Sequence, residues 1–119
     1  MNNNINKDIA LQIWHFYYGT KTTVSDYAGR KIVKSAYNDR NSLYGWNIDH
    51  KIPLSKGGKT TYGNCCPINL RSNEIKANQS TWIEEDDSIW QVKKVEPLEY
   101  KNKDGSIIKE KQYNYFKLS

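Results

Sequence analysis

Four blocks follow one another between Trp46 and Ser80, and their order restricts the chain more than any other feature. The first, "WNIDHKIPL", is β-prone and ends near Pro53, since proline removes a ladder donor. The second, "SKGGKTTYG", is a loop in which Gly57 and Gly58 provide backbone freedom. The third, "NCCPINL", reads as a second short strand. Ser72 then offers an N-cap for a short helix over 73–80. The predicted order is strand, loop, strand, helix.

The flanks are read in the same way. Residues 1–5, with three consecutive asparagines, are expected to be loose. Residues 6–18 predict a helix, capped by Asn6 and stopped by Gly19, with Ile9, Ile13, Trp14, Phe16 and Tyr17 on one broad face. His15, in that aromatic helix, is expected to pack. Residues 22–37 carry "TTV" and "KIV" around Gly29 and predict a hairpin, and 38–45 is turn chemistry. The acidic run from Glu84 to Asp87 is expected to be a solvated turn. Beyond it the tail is β-rich, with Asp104-Gly105 as a hairpin turn. The "KEKQYNYFK" alternation suits a half-buried strand or a stacking platform. With 119 residues and 37% hydrophobic content, the expectation is one domain over 1–119 with a modest core. Its parts are a helix and hairpin (6–45), a central unit (46–80) and a β-rich extension (81–119).

Charge points to a class of partner. The chain carries +5 at neutral pH with a pI near 9.1. Such a balance attracts polyanions, nucleic acid first, and it also serves plain solubility. The excess is local. Residues 30–76 hold nine basic residues (Arg30, Lys31, Lys34, Arg40, Lys51, Lys56, Lys59, Arg71 and Lys76) against Asp39, Asp49 and Glu74. That clustering favours phosphate contact. The adjacent Cys65 and Cys66 make neither an easy disulfide nor a four-ligand zinc site, and read as reduced strand residues of an intracellular protein. No apolar run is long enough for a membrane span, and the Asn-rich start lacks a signal-peptide core.

The residues within 46–80 carry a resemblance. Asp49-His50 precedes Pro53 and the lysine-edged Gly57-Gly58, Asn64 follows in "YGNCC", and Asn73 follows in "LRSNEIKAN". This pattern resembles the HNH endonucleases, also known as ββα-metal or His-Me finger nucleases. "DYAGRKIVKSAYNDRNSLYGW" is similar to the lead-in of one bacterial branch of that family. The last motif position is Asn rather than His, a variant seen in resolvases and in the HNH domain of CRISPR effector nucleases.

The resemblance implies an α+β fold: a ββα-metal core with an N-terminal helix and C-terminal β-hairpin additions. It implies His50 as general base, and Asn64 as the residue that braces the loop and aims the histidine through its backbone carbonyl. Asp49 and Asn73 are implied metal ligands. A carboxylate and an amide oxygen suit Mg²⁺ or Mn²⁺ better than zinc, and no structural zinc is expected because the usual CxxC pairs are missing. The core is then held by packing against the flanking helix and the C-terminal strands. The expected nucleic-acid contacts are Lys51, Lys56, Lys59, Arg71 and Lys76. Lys76, three residues after Asn73, reads either as a phosphate contact or as an exposed solubilising lysine.

The expected reaction is hydrolysis of DNA to 5′-phosphate and 3′-hydroxyl ends, in the cytoplasm of a bacterial or phage-infected cell. The residues do not separate DNA from RNA. One site cuts one strand, so double-strand cleavage calls for a homodimer or repeated nicking. The competing expectation is a catalytically inactive nucleic-acid-binding module that keeps the HNH fold. Asp49 and His50 are neighbours in a strand, so their side chains start on opposite faces, and a strand end must bring them together.

Overall fold

The computed structural model of the chain describes residues 5–119, so residues 1–4 of the expected loose start lie outside it. Helix α1 (Lys7–Tyr18) begins where the Asn6 side chain accepts from Ile9 N, and ends at Gly19, whose φ of 61° few other residues adopt. Strands β1 (Thr23–Ser25) and β2 (Lys31–Val33) pair antiparallel. Strands β3 (Trp46–His50) and β4 (Cys65–Asn69) form a second antiparallel pair, and helix α2 (Leu70–Lys76) follows directly. The last sheet orders β5 (Thr81–Ile83), β6 (Ile89–Lys101) and β7 (Ile107–Lys117) in sequence. The result is an α+β fold with a β-β-α unit at its centre. No helix among the described residues is long and apolar enough to cross a membrane.

The core is small and aromatic, as the composition requires. Ala10 and Trp14 of α1 pack on Ile32, Ala36 and Trp46, so the helix, the first hairpin and β3 share one cluster. The Trp14 and Trp46 rings lie 4.8 Å apart, and their indole N–H groups donate to Lys21 O and Lys34 O. These bonds remove the cost of burying a polar tip with a large apolar ring.

Several elements depart from the sequence expectation. β3 ends at His50 rather than near Pro53. Beyond Lys51 the backbone of Ile52 bonds the Asn64 side chain instead of a strand neighbour. Helix α2 starts at Leu70 because Asn69, not Ser72, caps it by accepting from Arg71 N. Ser72 is buried and donates to Asp26 Oδ2 at 2.6 Å. The helix stops at Lys76, before residue 80.

His15 faces solvent. The buried stripe of α1 falls on Ala10, Ile13 and Trp14, and His15 turns away from it. The acidic run is not simply a solvated turn, since Glu84 is buried. It accepts from Arg30 at 2.8 Å, Tyr27 OH at 2.9 Å and Trp82 Nε1 at 2.6 Å. That cluster fixes the C-terminal sheet to the first hairpin, a long-range role invisible in a local charge run.

Candidate active site

The site lies where β3 ends. Asp49 and His50 pair with Cys66 and Cys65 on β4, and α2 packs beside them. At this strand end both residues reach one cleft, whose other walls include Pro53, Leu54 and Ser55 from the loop and Asn73 from α2. The expected meeting of Asp49, His50 and Asn73 is therefore present.

Asp49 is only 4% exposed, and both of its carboxylate oxygens are engaged. Oδ1 lies 3.2 Å from Lys76 Nζ, and Oδ2 accepts from Tyr115 OH at 2.7 Å. Lys76 is fully buried, with its ammonium also 3.5 Å from His50 O and 5.5 Å from the centre of the Trp82 ring. An isolated buried ammonium is costly, and this one is neutralised by the carboxylate and cushioned by an indole face. Tyr115 comes from β7 and stacks on Tyr27 at 4.3 Å.

His50 is half-buried, and its Nε2 lies 2.9 Å from Thr60 Oγ1. Burial pushes the imidazole below its usual titration range. The Lys76 ammonium adds to that, and the Asp49 carboxylate opposes it. The ring is neutral at pH 7 as a result. The ring partner differs from the expectation. Asn64 O accepts from Lys51 N in continuation of the strand pairing, and a hydroxyl holds the imidazole instead.

Asn64 braces the loop with its side chain. Oδ1 accepts from Ile52 N, and Nδ2 donates to Ile52 O and Lys59 O, at 2.8 to 3.0 Å. One buried amide thus closes the segment between His50 and Thr60. Asn73 donates from Nδ2 to Asn47 Oδ1 at 2.5 Å. Gly58 is required nearby, since a Cβ there would fall 1.7 Å from Ile52 O.

The expected basic contacts divide into two groups. Lys56 and Lys59 are exposed on the loop. Arg71 is exposed and paired with Glu74 and Glu85, contacts worth little in water. Lys51 and Lys76 do not face solvent, which corrects both surface readings of Lys76 and the phosphate contact expected of Lys51. Lys51 is 2% exposed and donates to Tyr17 OH and Tyr113 O, each at 2.8 Å. Its ammonium ties α1 to β7 behind the site, and burial lowers its pKa.

Sequence reasoning missed Thr60 and Tyr115. The period-two spacing of Tyr113 and Tyr115 placed them on one strand face, but nothing local says which face meets Asp49. Cys65 and Cys66 are free buried thiols in β4. Among the described residues, no group of three or more His, Cys, Asp or Glu is placed to hold a metal ion.

A β-β-α unit thus carries a half-buried histidine and a buried aspartate at its strand end. Residues 29–79 match a family model described as HNH endonuclease, so this segment is similar to that family. No curated protein and no solved structure gives a match to the chain.

Proposed function

We propose that the chain is a metal-dependent HNH endonuclease that hydrolyses DNA phosphodiester bonds, leaving 5′-phosphate and 3′-hydroxyl ends. His50 is its general base, and a divalent cation, Mg²⁺ or Mn²⁺, binds at Asp49 and Asn73. One observation carries the reading: a half-buried, neutral imidazole held by Thr60 opens into the same cleft as Asp49 and Asn73. A general base must be unprotonated at working pH and fixed in orientation. If Thr60 Oγ1 accepts from Nε2–H, the lone pair for water is on Nδ1.

Asp49 and Asn73 fit a hard cation in donor type, as a carboxylate and an amide. The charge count makes the fit weak. Asp49 is already balanced by Lys76, and a second cation beside that carboxylate meets a buried ammonium. Substrate phosphate adds the missing negative charge. When bound, the cation would neutralise charge on the phosphate and on the departing 3′ oxygen. Titration calorimetry of Mg²⁺ or Mn²⁺ into the free protein is expected to show weak binding, and tight binding without nucleic acid would contradict this account.

Thr60 acts as a positioning residue for His50. Thr60→Val keeps the shape and removes the hydroxyl, and should lower kcat roughly tenfold with KM little changed, as for other orienting partners. Because protonated His50 cannot serve as base, kcat should rise with pH through a pKa below about 6.5 and stay flat above it. A rate that keeps rising through neutral pH would point to a different base.

The test is incubation of purified protein with supercoiled plasmid in Mg²⁺, Mn²⁺ or EDTA. Metal-dependent relaxed circles or fragments support the reading, and relaxed circles alone indicate a nickase. The second reading, an inactive nucleic-acid-binding module, is favoured by the engagement of both Asp49 oxygens. It predicts a gel shift without cleavage of plasmid, single strands or RNA.

A further inference from the structure

The C-terminal hairpin lies outside the matched family segment, yet it is fixed to the glycine loop. Tyr113 N donates to Gly63 O at 2.9 Å, and Gly63 N donates to Glu110 Oε1 at 3.2 Å. A Cβ at Gly63 would fall 2.1 Å from Lys111 O, so β7 and the loop are in backbone contact. Between them runs a cleft lined by Gly57, Gly58, Lys59, Lys109, Glu110 and Lys111. It is distinct from the reaction cleft and opens beside the same loop.

Its chemistry is cationic. Lys59, Lys109 and Lys111 are exposed, and among the described residues none is in an ion pair. The one carboxylate in the lining is already committed, because Glu110 accepts from Gly63 N and from Tyr100 OH. Lys109 and Lys111 are two residues apart on one strand face, roughly 7 Å along β7. That separation lets the two ammonium groups meet different phosphates. Lysines that only solubilise are better spread apart, since like charges on one concave surface repel.

We propose that this cleft is a second contact for the sugar-phosphate backbone of a nucleic acid. Lys59, Lys109 and Lys111 neutralise phosphates flanking the one at His50. Backbone contact of this kind positions the strand without reading sequence. The inference rests on the reading of the chain as an enzyme of nucleic acid, and it extends the substrate surface from the family segment onto the C-terminal hairpin.

The test uses binding rather than cleavage, so it is separable from the nuclease reading. Fluorescence anisotropy of the full-length His50→Ala protein on a short DNA duplex is measured across a salt series. The same series is run with Lys59→Gln, Lys109→Gln and Lys111→Gln combined in that background. A control triple, Lys7→Gln, Lys21→Gln and Lys93→Gln, removes equal charge elsewhere. All six lysines are exposed, and thermal melts verify folding. Each lost phosphate contact lowers the slope of log K against log salt by ~0.9, so the cleft triple should lose about 2 to 3. Its affinity at low salt should fall at least tenfold, with the control near the parent. Equal losses in both triples, an unchanged slope in the cleft triple, or no binding by the His50→Ala protein would each overturn the proposal. Cleavage by the wild type beside an unaffected cleft triple would remove this inference and leave the nuclease reading standing.

Discussion

His50→Ala is expected to lower the proposed metal-dependent plasmid cleavage about 10²- to 10⁴-fold, the usual contribution of a positioned general base. The fold should survive. The imidazole is half-buried, and its side-chain hydrogen bond is to Thr60, so the stability cost is on the order of 1 kcal/mol. Asp49, Lys76 and Tyr115 stay joined without it. Plasmid relaxation and thermal melting on the same preparation therefore separate chemistry from folding. A variant that melts like the wild type but cuts at its full rate would mean that His50 is not the base, or that a contaminant cuts.

Lys76→Met should be the most destabilising single change near the site. It leaves the Asp49 carboxylate 4% exposed with its cation gone, and breaking a buried pair from one side costs about 3–5 kcal/mol. Removing the carboxylate as well, in Asp49→Asn with Lys76→Met, should recover much of that loss, since neither member of the pair then leaves an uncompensated charge. Urea denaturation measures both. A single-variant loss below about 1 kcal/mol would mean that water reaches the pair and that its burial matters little. A second readout follows from charge balance. With the ammonium gone, Asp49 is free to face another cation, so Mn²⁺ should stabilise Lys76→Met more than the wild type. If Mn²⁺ shifts both proteins equally, Lys76 does not compete for the aspartate.

The two experiments probe different parts of one site. His50 tests whether the cleft performs chemistry, and Lys76 tests what holds the cleft together. The imidazole bonds a loop hydroxyl and the ammonium bonds a strand carboxylate, but the two are coupled, because Lys76 and Asp49 both act on the His50 titration.

Local patterns in the chain determined a great deal. Asn6 and Gly19 bound the first helix, and Asp104-Gly105 turns the last hairpin, because caps and turns are set by residues within a few positions of one another. The strand-loop-strand-helix order and the spacing of Asp49, His50, Asn64 and Asn73 were also readable, because that unit closes on itself within a short stretch. Only the tertiary structure decided the charge state of the site. Lys51 and Lys76 have the sequence context of surface lysines, yet Tyr17, Tyr113 and Asp49 enclose their ammonium groups. Tyr115 reaches Asp49 across 66 positions, and Glu84 leaves its acidic run to meet Arg30, 54 positions away. Burial of a charge depends on which distant elements pack over it. Periodicity tells a strand which residues share a face, but the partner of that face is chosen by the whole fold.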